Sequence, residues 1–70
     1  MNREWRQMLE ELAHGPRTGQ KLTRALGFPT FARARRMEER GWLRRTYPSG
    51  ARTIHWELTQ AGRDALKENE

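Results

Sequence analysis

Seventy residues without a cysteine make a single domain with a thin core, and they exclude disulfides, cysteine-held zinc and thiol catalysis together. The formal charge of +5 is unevenly placed. Between Arg17 and Arg52, ten basic residues, nine of them arginine, face only Glu38 and Glu39, a local excess of eight positive charges, while both ends of the chain are slightly acidic. No apolar run approaches the roughly 20 residues of a membrane span, and the start does not read as a signal peptide. These features predict a soluble cytoplasmic protein whose middle segment meets a polyanion.

In chain order, Trp5, Met8, Leu9 and Leu12 fall at i, i+3, i+4 and i+7 and predict an amphipathic helix that Gly15-Pro16 ends. Thr18 suits the N-cap of a second helix whose inner face is Leu22, Ala25 and Leu26. Gly27 suits its left-handed C-terminal position, and Phe28-Pro29 makes a hydrophobic corner. Pro29 or Thr30 opens a third helix, arginine-rich, that Gly41 stops. Its inner side is expected to be Phe31, Ala34 and Met37, with Ala32, Arg33, Arg36 and Arg40 roughly opposite and Arg35 flanking. Two short helices joined by a tight glycine-containing turn predict a helix-turn-helix over about residues 18–40.

The period then changes to two. Leu43, Arg45 and Tyr47 alternate with Arg44 and Thr46; Ile54, Trp56 and Leu58 alternate with Thr53, His55 and Glu57. The residues between contain Pro48, Ser49 and Gly50, so a β-hairpin over about 42–58 follows. Thr59 should cap a last short helix with Ala61, Gly62, Ala65 and Leu66 inward. The expected class is α+β: three helices, a two-stranded hairpin and a short C-terminal helix in one domain over residues 1–70.

Three short stretches carry a family resemblance. Leu58-Thr59-Gln60-Ala61-Gly62-Arg63-Asp64-Ala65-Leu66, after an aromatic strand, resembles the end of the wing in bacterial regulators of the PadR and MarR types. Met37-Glu38-Glu39-Arg40-Gly41-Trp42-Leu43 resembles their junction between recognition helix and wing, and Gly50-Ala51-Arg52 stands where the PadR-like pattern has Gly-Arg near the wing tip. The resemblance covers nearly the whole chain and implies a small winged helix-turn-helix that binds double-stranded DNA as a transcriptional regulator of a bacterium, phage or mobile element. Such regulators carry further helices that build their dimer and their ligand pocket. The chain stops after the wing region, so no small-molecule effector is expected; a homodimer, a tandem site or a partner protein would supply the rest of the specificity.

On DNA, the third helix would enter the major groove near Thr30, Ala32, Arg33 and Arg36. Arginine suits base reading because its planar fork bonds guanine O6 and N7 together. Arg33 and Arg36 are the expected base readers, Arg35 and Arg40 the expected phosphate contacts. Thr30 also fits a plain N-cap. On the wing, Arg52 is expected in the minor groove or on the backbone, with Ser49 and Gly50 allowing close approach. Arg44 and Arg45 flank the wing, one toward the solvent side of the sheet and one near its inner edge; alternation alone does not choose between them, and Arg45 is the one assigned as a contact. Arg17, Thr18 and Lys21 open the second helix, where the positive helix end favours a phosphate.

Two other readings share these residues: a protein-binding module for an acidic partner, and an architectural nucleic-acid binder without sequence preference. The tryptophans, Trp5, Trp42 and Trp56, fall on inner faces or junctions and are assigned to the core rather than to base stacking. Catalysis is not expected. His14 and His55 lack carboxylate or serine companions at useful spacing, Glu38 and Glu39 are adjacent and diverge on a helix, and no phosphate-binding glycine loop is present. No metal or cofactor is expected.

Overall fold

The computed structural model describes residues 1–48, 50 and 52–68. Helix α1 spans Arg3–Leu12; the Asn2 side chain caps it by accepting the Trp5 N–H at 2.8 Å. Its stripe of Trp5, Met8, Leu9 and Leu12 is buried, while Arg6 and Glu10 pair on the outside. A two-residue strand β1, Arg17–Thr18, precedes α2, Gly19–Leu26. Thr18 leaves β1 as the N-cap of α2, accepting the Lys21 N–H at 3.1 Å, and Gly27 closes α2 at φ 81°. Helix α3 spans Phe31–Glu39. Strands β2, Leu43–Thr46, and β3, His55–Leu58, form the hairpin, and α4 spans Gln60–Glu68.

The hairpin belongs to a three-stranded antiparallel sheet of order β1-β3-β2. Arg17 pairs with Trp56 and Thr18 with His55, while Leu43 faces Leu58 and Arg45 faces Trp56. Strand β1 was not expected from the sequence, because two residues cannot display an alternation. It ties the start of the helix-turn-helix to the centre of the wing sheet.

The core gathers the α1 stripe, Leu22, Ala34, Met37, Leu43, Trp56 and Leu58, with Leu26, Phe28, Trp42 and Leu66 packed against it. Trp5 and Trp42 meet edge to face at 5.8 Å, locking α1 to the α3–β2 junction. Gly62 sits where α4 crosses that junction. A Cβ there would overlap the Trp42 carbonyl oxygen and come within 2.6 Å of Leu58 Cδ1. The Trp42 oxygen is itself held by the Thr59 N–H at 3.0 Å, so it has little room to yield. Thr59 caps α4 as expected, accepting from Gly62 N at 3.0 Å, and its hydroxyl donates to Gly41 O at 2.6 Å.

Three inner-face expectations are corrected. Ala25 and Ala61 are exposed: the buried positions of α2 and α4 are Leu22, and Gly62 with Ala65. In α3 the buried line runs Thr30–Ala34–Met37, and Phe31 is 62% exposed. Polar Thr30 takes the inner corner because its hydroxyl is satisfied there, 2.7 Å from Thr23 Oγ1 and 3.3 Å from the Gly19 carbonyl. Phe31, one residue on and about 100° further round, is left outside.

Candidate nucleic-acid interface

Because Thr30, Ala34 and Met37 face the core, helical geometry turns Ala32, Arg35, Arg36 and Glu39 outward, and all four are exposed. The side chains of Arg35 and Arg36 make no hydrogen bond or ion pair among the described residues, so two uncommitted guanidinium groups share this outer face. Ala32 leaves space beside them.

The two flanks of α3 are more constrained. On the α1 side, Arg33 is half-buried and folds back: Nη1 donates to the Pro29 carbonyl at 2.6 Å, and the guanidinium lies 5.1 Å from the Phe28 ring centre. Arg40 lies over two tryptophans, 4.8 Å from Trp5 and 5.4 Å from Trp42. Its outer side remains exposed to an anion while its inner face caps the aromatic pair. On the wing side, Glu38 Oε2 holds Arg45 Nε at 3.0 Å, and Arg45 also lies 5.4 Å over Trp56.

Thr30, expected among the DNA contacts, lies inside the fold. It is 1% exposed and its hydroxyl is consumed inside the helix-turn-helix, where it joins the starts of α2 and α3. It makes no side-chain cap bond either. Its backbone carbonyl does serve the helix, accepting from Ala34 N at 2.8 Å.

Arg17, expected on the backbone, is engaged elsewhere. Nη1 bonds the Pro16 carbonyl at 3.0 Å and Nε lies 4.0 Å from Glu11 of α1. Thr18 is occupied as the α2 cap, while the Lys21 ammonium is exposed and has no partner among the described residues. On the wing, the two adjacent arginines separate as alternation demands. Arg44 pairs with Glu57 on the outer face, and Arg45 turns to the face shared with Trp56. Gly50 is exposed, with φ 76°, and Arg52 is exposed. Ser49 lies outside the described residues.

Between α3 and the wing lies an open hollow of about 510 Å³, with Gly19, Phe31, Arg45, Tyr47, Arg52 and Trp56 among the residues around it. It brings together the start of α2, the start of α3 and the wing. Phe31 and Tyr47, each 62% exposed, are the features sequence reasoning missed. A signal for Tyr47 was present: the stripe Leu43–Arg45–Tyr47 contains an arginine, which marks where the core ends along β2.

Among the described residues no cluster of three or more His, Asp or Glu could hold a metal ion, and no helix is long and apolar enough to cross a membrane. No protein-family model and no curated protein matches the sequence. Solved structures do match in fold. A Pseudomonas aeruginosa protein described as a probable transcriptional regulator superposes with a TM-score of 0.87 at 23% identity, covering 97% of this chain and 55% of that one. The complex structure of hsRosR-S1 superposes at 0.82 with 19% identity, covering 99% of this chain and 69% of that one. This chain therefore spans little more than half the length of the first of these proteins. It shares with them a small α+β winged-helix fold.

Proposed function

We propose that this domain binds double-stranded DNA and acts in transcriptional regulation. The outer face of α3 enters the major groove, and Arg52 on the wing meets the minor groove or the backbone. The observation that carries the reading is the pair of exposed, uncommitted arginines, Arg35 and Arg36, on the outer face of α3 beside the small Ala32. Neighbouring guanidinium groups without partners repel one another, and a duplex with one phosphate per ~1.7 Å of axis relieves that repulsion. Arg36 and Arg35 take the base edges, where the guanidinium fork matches guanine. Arg40 and Lys21 take phosphates, and Arg33 supports the Phe28–Pro29 corner. The resemblance to regulators of the PadR and MarR types and the regulator description of the P. aeruginosa fold relative support the same reading.

Fluorescence anisotropy on a random pool of duplexes of about 25 base pairs tests it, with the bound fraction sequenced. Affinity should fall linearly on a log–log salt plot, with a slope of about −0.9 per phosphate contacted, and a motif should emerge. A steep slope without a motif would make the domain architectural. Absence of binding at low salt would overturn the reading in favour of an acidic protein partner.

A further inference from the structure

We propose that the hollow between α3 and the wing is a stacking pocket for an unpaired nucleobase, so that the domain prefers duplexes carrying an extrahelical nucleotide over fully paired ones. This rests on the DNA-binding reading above. Phe31 and Tyr47 are two of the three large apolar side chains exposed among the described residues, and both border this one hollow. Its wall is Trp56, which Phe31 meets edge to face at 6.4 Å. The cations Arg45 and Arg52 stand at the same hollow, and no acidic residue lines it among the described residues. At about 510 Å³ it falls in the ~300–1,000 Å³ size class of pockets for small organic ligands, which includes a mononucleotide.

Aromatic surface next to guanidinium groups is the chemistry of nucleotide stacking. The ring accepts the π-face of any base, and the cation accepts its phosphate. Arg45 is held by Glu38 and stacked on Trp56, so it forms part of the pocket wall. Arg52, exposed at the hollow, is the phosphate ligand. A purely apolar peptide would find two cations facing it, and an acidic peptide would leave Phe31 and Tyr47 unused; a nucleotide uses both. In a paired duplex each base is already stacked on its neighbours, so only a base outside the stack can gain from the pocket.

The test compares the intact 70-residue chain on two labelled duplexes of the same sequence, one fully paired and one with a single unpaired thymine. Stacking on an aromatic side chain predicts a preference of about tenfold for the second duplex. The Phe31→Ala/Tyr47→Ala variant should lose that preference and keep its affinity for the paired duplex to within about twofold; circular dichroism checks that it is folded. A 5-iodouracil in place of the unpaired thymine should cross-link to Phe31 or Tyr47, as mapped by mass spectrometry on the unaltered protein. Equal affinity for the two duplexes overturns the pocket while leaving duplex binding intact. A preference that survives in the variant, or a cross-link elsewhere, overturns its location. Binding to neither duplex overturns both this proposal and the DNA-binding reading.

Discussion

Arg45 of the wing and Glu38 of α3 are joined Nε to Oε2 at 3.0 Å, seven residues apart in sequence and across the turn at Gly41. With side chains 41% and 29% exposed, the pair adds less than about 1 kcal/mol to stability. It matters more for geometry and charge. It links wing and helix, and it occupies one arginine of the basic face proposed to meet DNA. Glu38→Gln should therefore leave the unfolding midpoint nearly unchanged and tighten duplex binding, with the salt slope steeper by about one unit as Arg45 gains a phosphate. Anisotropy titrations at four salt concentrations read this directly. An unchanged slope would mean that Arg45 stays on Trp56 without its carboxylate.

The arginines of α3 should separate into two groups. Arg35→Ala and Arg36→Ala, which remove uncommitted side chains, should each cost about 1–3 kcal/mol of discrimination if the lost contact is bidentate to a base. Arg33→Ala should cost far less affinity and show instead as a small loss of stability, because its guanidinium already serves Pro29 and Phe28. A selectivity loss for Arg33→Ala as large as that for Arg36→Ala would show that Arg33 swings out on DNA.

Thr30→Val keeps the shape of the side chain and removes its hydroxyl. The Thr23 hydroxyl then loses its neighbour and the Gly19 carbonyl loses a donor, so unfolding should become easier by about 1–2 kcal/mol. Base preference should not move. A changed motif at constant stability would put Thr30 back among the contacts.

Gly62→Ala tests the packing of α4 on the α3–β2 junction. The added methyl meets the Trp42 carbonyl oxygen, which Thr59 holds from the other side. Alanine favours helix formation by about 1 kcal/mol over glycine, yet the overlap should reverse the sign and destabilise by about 1–3 kcal/mol. Chemical denaturation followed by tryptophan fluorescence measures it, since Trp42 is the residue displaced. A stabilised variant would show that α4 can shift away from the junction.

Much of the architecture was legible because its signals are periodic and redundant. Trp5, Met8, Leu9 and Leu12 repeat one helical face four times, and the alternation around Leu43 and around Trp56 marks both wing strands. Thr18, Gly27 and Thr59 are chain-local caps whose chemistry needs nothing from the rest of the fold. What escaped depends on tertiary detail. Periodicity assigns a face only to within one residue, and hydrophobicity then favours Phe31 over Thr30 for the inside. The structure decides otherwise because Thr23 and Gly19 are placed to satisfy a hydroxyl there. Charge counting likewise finds a basic segment but not which arginines are already spoken for. Arg17 and Arg45 are committed to Glu11 and Glu38, which the folded chain brings near, while Arg33 folds back on the Pro29 carbonyl four residues earlier.

Strand β3 carries a consequence for how the domain forms. It supplies Trp56 and Leu58 to the core and, through Arg17 and Thr18, completes the start of α2. Partners nearly forty residues apart must find each other before the helix-turn-helix is braced. Such distant pairing raises contact order and slows folding relative to a three-helix bundle of the same length. During synthesis α1, α2 and α3 emerge first, yet the start of α2 gains its sheet partners only when the last strand has followed.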